Sequence, residues 1–393
     1  MIKSLGVALL FFFVQPTFLL GILISWTKGE NRIKQERKSL RIAVYKQLIE
    51  SRELFLGGLL IGLFSSLFSI FAGLPVTFEW IVLYEVVTVL LLVFGYRFIH
   101  PMFTFSLAGL LLSFYYHFFP QSMSPFTLFN HTLLNGTFSQ QQQVSKSVGI
   151  LASILLLLTA IKLIRQKETI LSPSFFKTKR GKTVVGYPIQ PLWMAPVLLV
   201  LPGEAFQNLF PWWPVVKIGT GSYAFFLLPV LIGLRYTLKA QMPEEAAEKL
   251  GKSLIAVALL SLISLGISFW FPIAALVALL FLLLFGFAAL YRHRSREQSW
   301  HFLYGPEQAG WKVIAVRPDT PGEKMDLQIG DTILECNHLT KEDVSDFTEA
   351  LSANRVYCKL RVRRADGEIR LAEAAVFDDA PFDLGIVTLS ENQ

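Results

Sequence analysis

Nine apolar runs constrain this chain more than any other feature: residues 5–26, 54–73, 80–96, 102–119, 148–164, 192–210, 222–236, 254–269 and 272–290. A helix rises about 1.5 Å per residue, so about 20 apolar residues cross a bilayer, and somewhat fewer suffice where protein or lipid adapts. With 53% hydrophobic residues, 34 Phe and a mean hydropathy of +0.50, the composition lies far from the soluble average. The runs are therefore read as membrane-spanning helices. Residues 192–210 are the least regular, because Pro196, Pro202, Gly203 and Glu204 interrupt them.

The net charge of +7 is read as membrane topology rather than nucleic-acid binding, because Lys and Arg between apolar runs set orientation. Lys28, Arg32, Lys34, Arg37, Lys38, Arg41, Lys46 and Arg52 follow the first run. Arg165, Lys167, Lys177, Lys179, Arg180 and Lys182 follow Ile164; Arg235, Lys239, Lys249 and Lys252 precede Leu254; Arg292, Arg294 and Arg296 follow Leu290. The alternate segments 74–79 and 120–143 contain neither Lys nor Arg, and 211–221 contains only Lys217. If all nine runs span, the N-terminus lies outside and the tail after Leu290 is cytoplasmic. Lys3 and Pro16 leave a second arrangement open, in which the first run is a re-entrant hairpin and eight spans remain. The first run is too long, and too poor in small residues at its end, for a removed signal peptide. The expected division is a transmembrane domain at 1–292, with cytoplasmic basic loops at 27–53, 165–190 and 235–252, and a cytoplasmic domain at 299–390. Segment 28–52 mixes Ile33, Leu40, Ile42, Val44, Leu48 and Ile49 with its charges, which suits a helix on the anionic inner leaflet or a solvated linker helix.

Beyond Arg296 the apolar positions alternate as in strands. The strand WKVIAV at 311–316 leads into Pro318, Thr320, Pro321 and Gly322, then the apolar pair Met325 and Leu327, then Gly330, Asp331, Ile333, Leu334 and Asn337. This order, strand, P-x-T-P-G, apolar pair, G-D-x-I-L-x-x-N, resembles the PDZ family. Asp343 can cap a helix to about Ala353 whose apolar face is Val344, Phe347, Ala350 and Leu351. Asp366-Gly367 marks a hairpin between strands at 357–363 and 368–372.

PDZ domains add an extended peptide to a sheet edge beside a helix, below a G-L-G-F-like loop that holds the peptide carboxylate. Nothing of that kind stands at 300–310; the match is Phe382-Asp383-Leu384-Gly385-Ile386-Val387 at the end of the chain. The resemblance thus implies a small α/β, partly open β-barrel in circularly permuted order. Leu384, Gly385, Ile386 and Val387 would pair with the peptide, and Phe347 and Leu351 would face it. Asp378, Asp379 and Asp383 surround the loop with negative charge, which favours an internal segment or a basic peptide over a free carboxylate. The competing reading is that this last strand only completes the sheet.

Catalytic signatures are weak. There is no HExxH, and His100, His117, His131, His293, His301 and His338 are scattered. Gly219-Thr220-Gly221-Ser222 offers an intramembrane serine nucleophile, with His293 the one later His near a membrane edge. Glu85 and Glu204 sit in or beside apolar runs, where a carboxylate is a functional candidate, and the broken run at 202–204 suits a transporter site. Pairing inside the bundle or placement near an interface is the plainer reading of both. Trp212 and Trp213 read as an interfacial anchor, residues 140–143 as a polar spacer, and Cys336 and Cys358 as reduced core thiols.

Many apolar runs followed by one PDZ-like domain, without a protease motif, resembles the MinJ family of division-site topology proteins of Gram-positive rods. The resemblance implies a membrane scaffold rather than an enzyme, with no catalytic residue, cofactor or metal. It would link the coiled-coil marker DivIVA to the membrane ATPase MinD at septa and poles, through the PDZ-like domain and the basic loops. The other functions left open are a transporter with a regulatory PDZ domain and an intramembrane serine protease.

Overall fold

The computed structural model describes residues 2–118, 126–128, 131–133, 138–166, 170–178, 181, 183–219, 221–299, 302–305, 307, 309–354, 356–375 and 383–389. Its first half is helical: α1 (Ile2–Val14), α2 (Pro16–Leu40), α3 (Ile49–Phe71), α4 (Phe78–Val93), a 3-10 turn (Tyr96–Phe98) and α5 (Pro101–Phe118). Two short strands, β1 (Phe126–Leu128) and β2 (His131–Leu133), precede α6 (Phe138–Arg165). Then come β3 (Ser174–Lys177), β4 (Thr183–Ile189), β5 (Leu192–Pro202), α7 (Gly203–Leu209), β6 (Val215–Ile218), β7 (Gly221–Gly233) and β8 (Tyr236–Leu238). Helices α8 (Pro243–Ile267) and α9 (Ala274–Ser299) lead to the terminal sheet: β9 (Trp311–Val316), α10 (Pro321–Lys324), β10 (Thr332–Cys336), β11 (Leu339–Thr340), α11 (Phe347–Ser352), β12 (Tyr357–Arg363), β13 (Ile369–Ala375) and β14 (Ile386–Thr388).

Four of the described helices are long and apolar enough to cross a membrane: α3, α6 over Gln142–Arg165, α8, and α9 over Ala274–Gln298. The pair α1–α2, bent by 49°, makes a fifth if it is one broken span or re-entrant loop. Pro16 sets that bend: it opens α2, where its missing N–H costs nothing, while Gln15 stays extended. This falls short of eight or nine spans. Runs 80–96 and 102–119 are helical but supply only 16 and 18 residues as α4 and α5. Runs 192–210 and 222–236 are not spanning helices at all; they hold the paired strands β5 and β7.

The reason lies in the prolines. Pro196 and Pro229 would each break a helix near its middle, yet they stand directly opposite one another in the β5–β7 register. A helix also needs more than the 15 residues of 222–236 to cross, whereas 9–11 residues of strand suffice, and β5 has 11. A strand pair among apolar helices has outer edges that lipid cannot satisfy; β6 covers that of β7 from Gly221 to Ala224, and the remainder needs other partners. On the β5 side, Ser66 Oγ accepts from the Leu198 N–H (2.8 Å) and donates to the Pro196 carbonyl (3.2 Å), and the Val76 N–H donates to the Val200 carbonyl (2.9 Å). On the β7 side, Gln15 Nε2 donates to Leu227 O (2.8 Å) and Trp213 Nε1 to Phe225 O (3.2 Å). Tyr84 Oη donates to Pro229 O (3.4 Å) and accepts from the Leu231 N–H (3.3 Å). Every one of these groups shares the outward parity of Pro196 and Pro229, so the two prolines remove N–H groups that would have pointed out of the ladder.

Helix α3 lies directly on β5. A Cβ at Gly58 would fall on the Met194 carbonyl, and one at Gly62 would come within 2.6 Å of the Pro196 ring and carbonyl. Beyond the strand ends, Trp213 stacks on Phe226 (5.6 Å) and meets Phe206 edge-on (5.0 Å), with Phe11 and Phe78 completing an aromatic cluster. Trp213 is thus buried core, and only Trp212 is exposed.

The basic segments are more structured than loops. Segment 28–52 is the second half of α2 and its return into α3. Buried Glu36 and Glu50 both bind Arg32, and Glu36 also accepts from the Val44 N–H (2.8 Å). Segment 165–190 holds β3 and β4, and 235–252 holds β8 and the first turns of α8. The terminal sheet runs β13-β12-β10-β9-β14, with β11 on β10; it stays open, ending on β13 and β14. Cys336 and Cys358 are free and buried in its core, where their mutual hydrogen bond, and then burial, raise the Cys336 thiol far above its ordinary value.

Packing and edge satisfaction can be separated by mutation. Gly58→Val and Gly62→Val are expected to cost about 1–3 kcal/mol each through overpacking, and Ser66→Ala about 1–3 kcal/mol by stranding the Leu198 N–H. Leu60→Ala, on the outward face of α3, should stay within about 0.5 kcal/mol. Thermal melting of the purified full-length chain in detergent checks this ordering.

Candidate functional site

The expected peptide-binding segment is built from two stretches far apart in sequence. Thr320, just before α10, donates its hydroxyl to Arg317 O (2.6 Å), which fixes the bend after β9. Into that bend fits the turn before β14. The Gly322 N–H donates to Leu384 O (3.0 Å), and the Arg317 N–H donates to Gly385 O (2.8 Å). Leu384 and Gly385 turn the chain with φ of 53° and 76°, and a Cβ at Gly385 would collide with Thr320. Gly322 is equally confined, since its Cβ would lie 2.7 Å from Ile386. The P-x-T-P-G stretch and the D-L-G-I stretch are therefore two halves of one corner, after which β14 pairs antiparallel with β9 through Ile386↔Val316 and Val387↔Ala315.

The expected site residues divide in three. Leu384, Ile386, Phe347 and Leu351 are all buried in one apolar cluster with Trp311 and Met325. Gly385 makes the corner. Val387 faces the other way and packs, with Leu389, against the core of the helical half. What β14 leaves for a partner is mainly backbone, because it is the last strand of the sheet. The corner's amides are engaged internally: the Gly385 N–H donates to Asp383 Oδ1 (3.1 Å) and the Ile386 N–H to Asp383 O (3.0 Å). Asp383 thus sits where a carboxylate-holding loop would offer free N–H groups, in line with the charge argument. Phe382, Asp378 and Asp379 lie outside the described residues.

The terminal sheet is docked on the helical half rather than tethered to it. Tyr187 Oη donates to Ile314 O (2.7 Å), a carbonyl at the bulge where β9 and β14 lose register. Tyr304 is fully buried against the Tyr187 ring (4.9 Å), and its carbonyl accepts from the Val185 N–H (2.9 Å).

The other candidates are accounted for locally. Glu85 accepts from the Thr17 N–H (2.9 Å) and hydroxyl (2.8 Å), so it caps α2 at the Pro16 bend. Glu204 is exposed in the first turn of α7. Ser222 is paired with Lys217 at the start of β7, whereas the His293 ring packs on Tyr236 beyond its other end. At about 3.3 Å per residue, the 13 residues of β7 keep that serine and histidine far apart.

Over its whole length the chain is 26% identical to the cell division topological determinant MinJ of Bacillus subtilis (strain 168), and the match covers 96% of that protein. The chain is thus similar to a cell division topological determinant along its whole length. Probable cell division topological determinants MinJ of Lacticaseibacillus paracasei and Lacticaseibacillus casei (strain BD-II) are each 29% identical over 261 residues, or 64% of this chain and 67% of theirs. No family profile matches the chain, and no solved structure matches it.

One cluster of this chain is not foreshadowed by any sequence motif. Lys312, 5% exposed on β9, pairs with Glu307 (2.8 Å), and Arg363 of β12 reaches the same carboxylate (2.5 Å). Thr332 of β10 adds a hydroxyl hydrogen bond (3.1 Å). Burial opposes ionisation of Glu307, but these partners prevail and hold its carboxyl below the usual carboxylate range. Its pKa is therefore lower folded than unfolded. The stability it contributes is present above the unfolded value, about 4.3, and is lost as pH falls through the folded value. Glu307→Gln should lower stability of the terminal region by roughly 1–3 kcal/mol at pH 7, allowing for the partial exposure of Glu307. The gap from the parent chain should narrow as pH falls below about 4.3 and close only below the lowered folded value. Hydrogen exchange of β9 and β10 amides in the full-length chain checks both.

Proposed function

We propose that this chain is a membrane scaffold that gathers cell-division site-selection proteins at septa and poles. In this reading it bridges a DivIVA-like coiled-coil marker and a MinD-like membrane ATPase, on the cytoplasmic side of a multi-pass membrane part. The observation that carries the proposal is similarity along the entire chain to a cell division topological determinant. The resemblance of residues 318–337 to PDZ domains, and the joining of that stretch to the last strand at one corner, support a circularly permuted PDZ-like module over 299–390. The peptide would lie along β14, at Leu384, Gly385, Ile386 and Val387, with Phe347 and Leu351 supporting the wall from beneath. With Asp383 on the corner's amides, an internal or basic segment fits better than a free C-terminus.

A fluorescent fusion of the full-length chain is expected to concentrate at septa and poles. A uniform membrane signal, together with normal division in a deletion strain, would overturn the scaffold reading. Removing the last dozen residues, which takes away β14, should abolish partner capture and leave the chain in the membrane. Because that deletion also opens the core, a photo-crosslinker at half-buried Thr388 provides the companion test. Capture of DivIVA-like or MinD-like proteins supports the bridge, and a folded chain that crosslinks to neither counts against it.

A further inference from the structure

A cavity of about 620 Å³ opens between the 3-10 turn after α4, strand β8 and the C-terminal part of α9. Four cations line it: Arg97, Arg235, Lys239 and Arg294. Its one carboxylate, Glu297, is already committed. Oε2 accepts from the N–H groups of Lys239 (2.7 Å) and Ala240 (2.9 Å), and Oε1 accepts from Gln241 Nε2 (2.5 Å). None of the four cations makes an ion pair among the described residues. Three rest on aromatic faces instead: Arg97 over Phe98 (4.5 Å), Lys239 over Phe176 (3.8 Å) and Arg235 over Tyr96 (6.0 Å). Such stacking orients a cation without neutralising it, so the cavity keeps a surplus of positive charge.

The apolar rim decides what anion fits. Phe94, Phe287 and Tyr291 line the same cavity and are 71%, 52% and 65% exposed. They continue outward-facing apolar rows on two helices, Val86, Leu90 and Val93 of α4 and Leu280 and Leu284 of α9. The cavity therefore lies where two outward-facing apolar helix surfaces end and a group of cations begins. A soluble anion would use the cations and leave the aromatic rim bare. A phospholipid uses both, with acyl chains along α4 and α9 and its headgroup inside.

We propose that this cavity binds the phosphate headgroup of an anionic phospholipid from the leaflet at this end of α9. Basic pockets between membrane helices are suited to this ligand, and selectivity over a zwitterionic lipid follows from the unmatched cations. The inference does not depend on the scaffold reading.

Native mass spectrometry of the full-length chain, presented with equal phosphatidylglycerol and phosphatidylcholine, counts the lipids retained. Phosphatidylglycerol should be retained about tenfold over phosphatidylcholine. The variant carrying Arg97→Gln, Arg235→Gln and Arg294→Gln should lose most of that preference, and the matching Lys triple should restore it. Equal retention of the two lipids, or a Gln triple that keeps the preference, overturns the proposal. Displacement of the bound lipid by glycerol phosphate at equal concentration also overturns it, since the site would then belong to a soluble phosphate. If the Gln triple does not fold, Arg235→Gln alone is compared with the parent chain, whose retention is also measured against rising salt. Selectivity that falls in both supports the site, and selectivity insensitive to both rejects it.

Discussion

An antiparallel strand pair lodged among apolar helices is the constraint on which the helical half depends. Two strands satisfy each other along one edge only, and each outer backbone group left dry costs several kcal/mol in hydrocarbon, roughly. The surrounding elements answer that demand one group at a time. Ser66 serves β5, Gln15 and Tyr84 serve β7, Val76 and Trp213 serve the far end, and the two prolines cancel two donors outright. Several features otherwise unrelated in sequence acquire one explanation. The bend at Pro16 brings Gln15 to a carbonyl, and the resulting free start of α2 is capped by Glu85. A carboxylate within an apolar run, which could mark a transport site, is here part of the framework that supports the hairpin.

The same end of the molecule carries the basic segments, the terminal sheet and the cationic cavity, and Lys239 links the last two. Its N–H binds Glu297 of α9, its carbonyl accepts from the Leu303 N–H of the connection (2.9 Å), and its side chain lines the cavity. With Tyr187 and Tyr304 buried at the joint, the terminal sheet has a defined height and orientation relative to the helices. A module whose one face, Val387 and Leu389, is committed to the helical core presents its remaining surface in a fixed direction.

The sequence was most legible where structure is decided locally. The stretch from Trp311 to Asn337 reads correctly as strand, turn and strand, because turn residues and alternation act over a few positions; the short helix α10 inside that turn was not read. The buried free cysteines were legible from their number and spacing, and the break at Pro16 was one of two arrangements the sequence left open. The apolar runs were legible as apolar, but not as helix or strand. Hydrophobicity alone does not separate a buried strand from a spanning helix, and the deciding signals at 192–236 were short length, opposed prolines and a Gly219 turn. The Gly58 and Gly62 face of α3 was the other half of that signal, and it sits about 130 residues away in the chain. Glu307, Lys312 and Arg363 illustrate the limit most clearly, since only the folded sheet brings the third member to the first two.

The change from helix to strand leaves the direction of the chain intact. Contacts run in step along α3 and β5, from Gly57 against Trp193 through Gly62 against Pro196 to Ser66 against Leu198. Just past the end of α3, Pro75 bridges to Val200 in parallel. The stretch of α3 from Gly57 to Phe71 rises about 21 Å at 1.5 Å per residue, and β5 from Trp193 to Val200 rises about 23 Å at 3.3 Å per residue. Eight residues of strand therefore traverse the depth that fifteen of helix do, and β7 brings the chain back. A segment can exchange a helix for a strand without altering which end each flanking loop occupies. The Lys and Arg asymmetry depends only on ends, so replacing the inferred helices at 192–236 by a hairpin does not by itself disturb it.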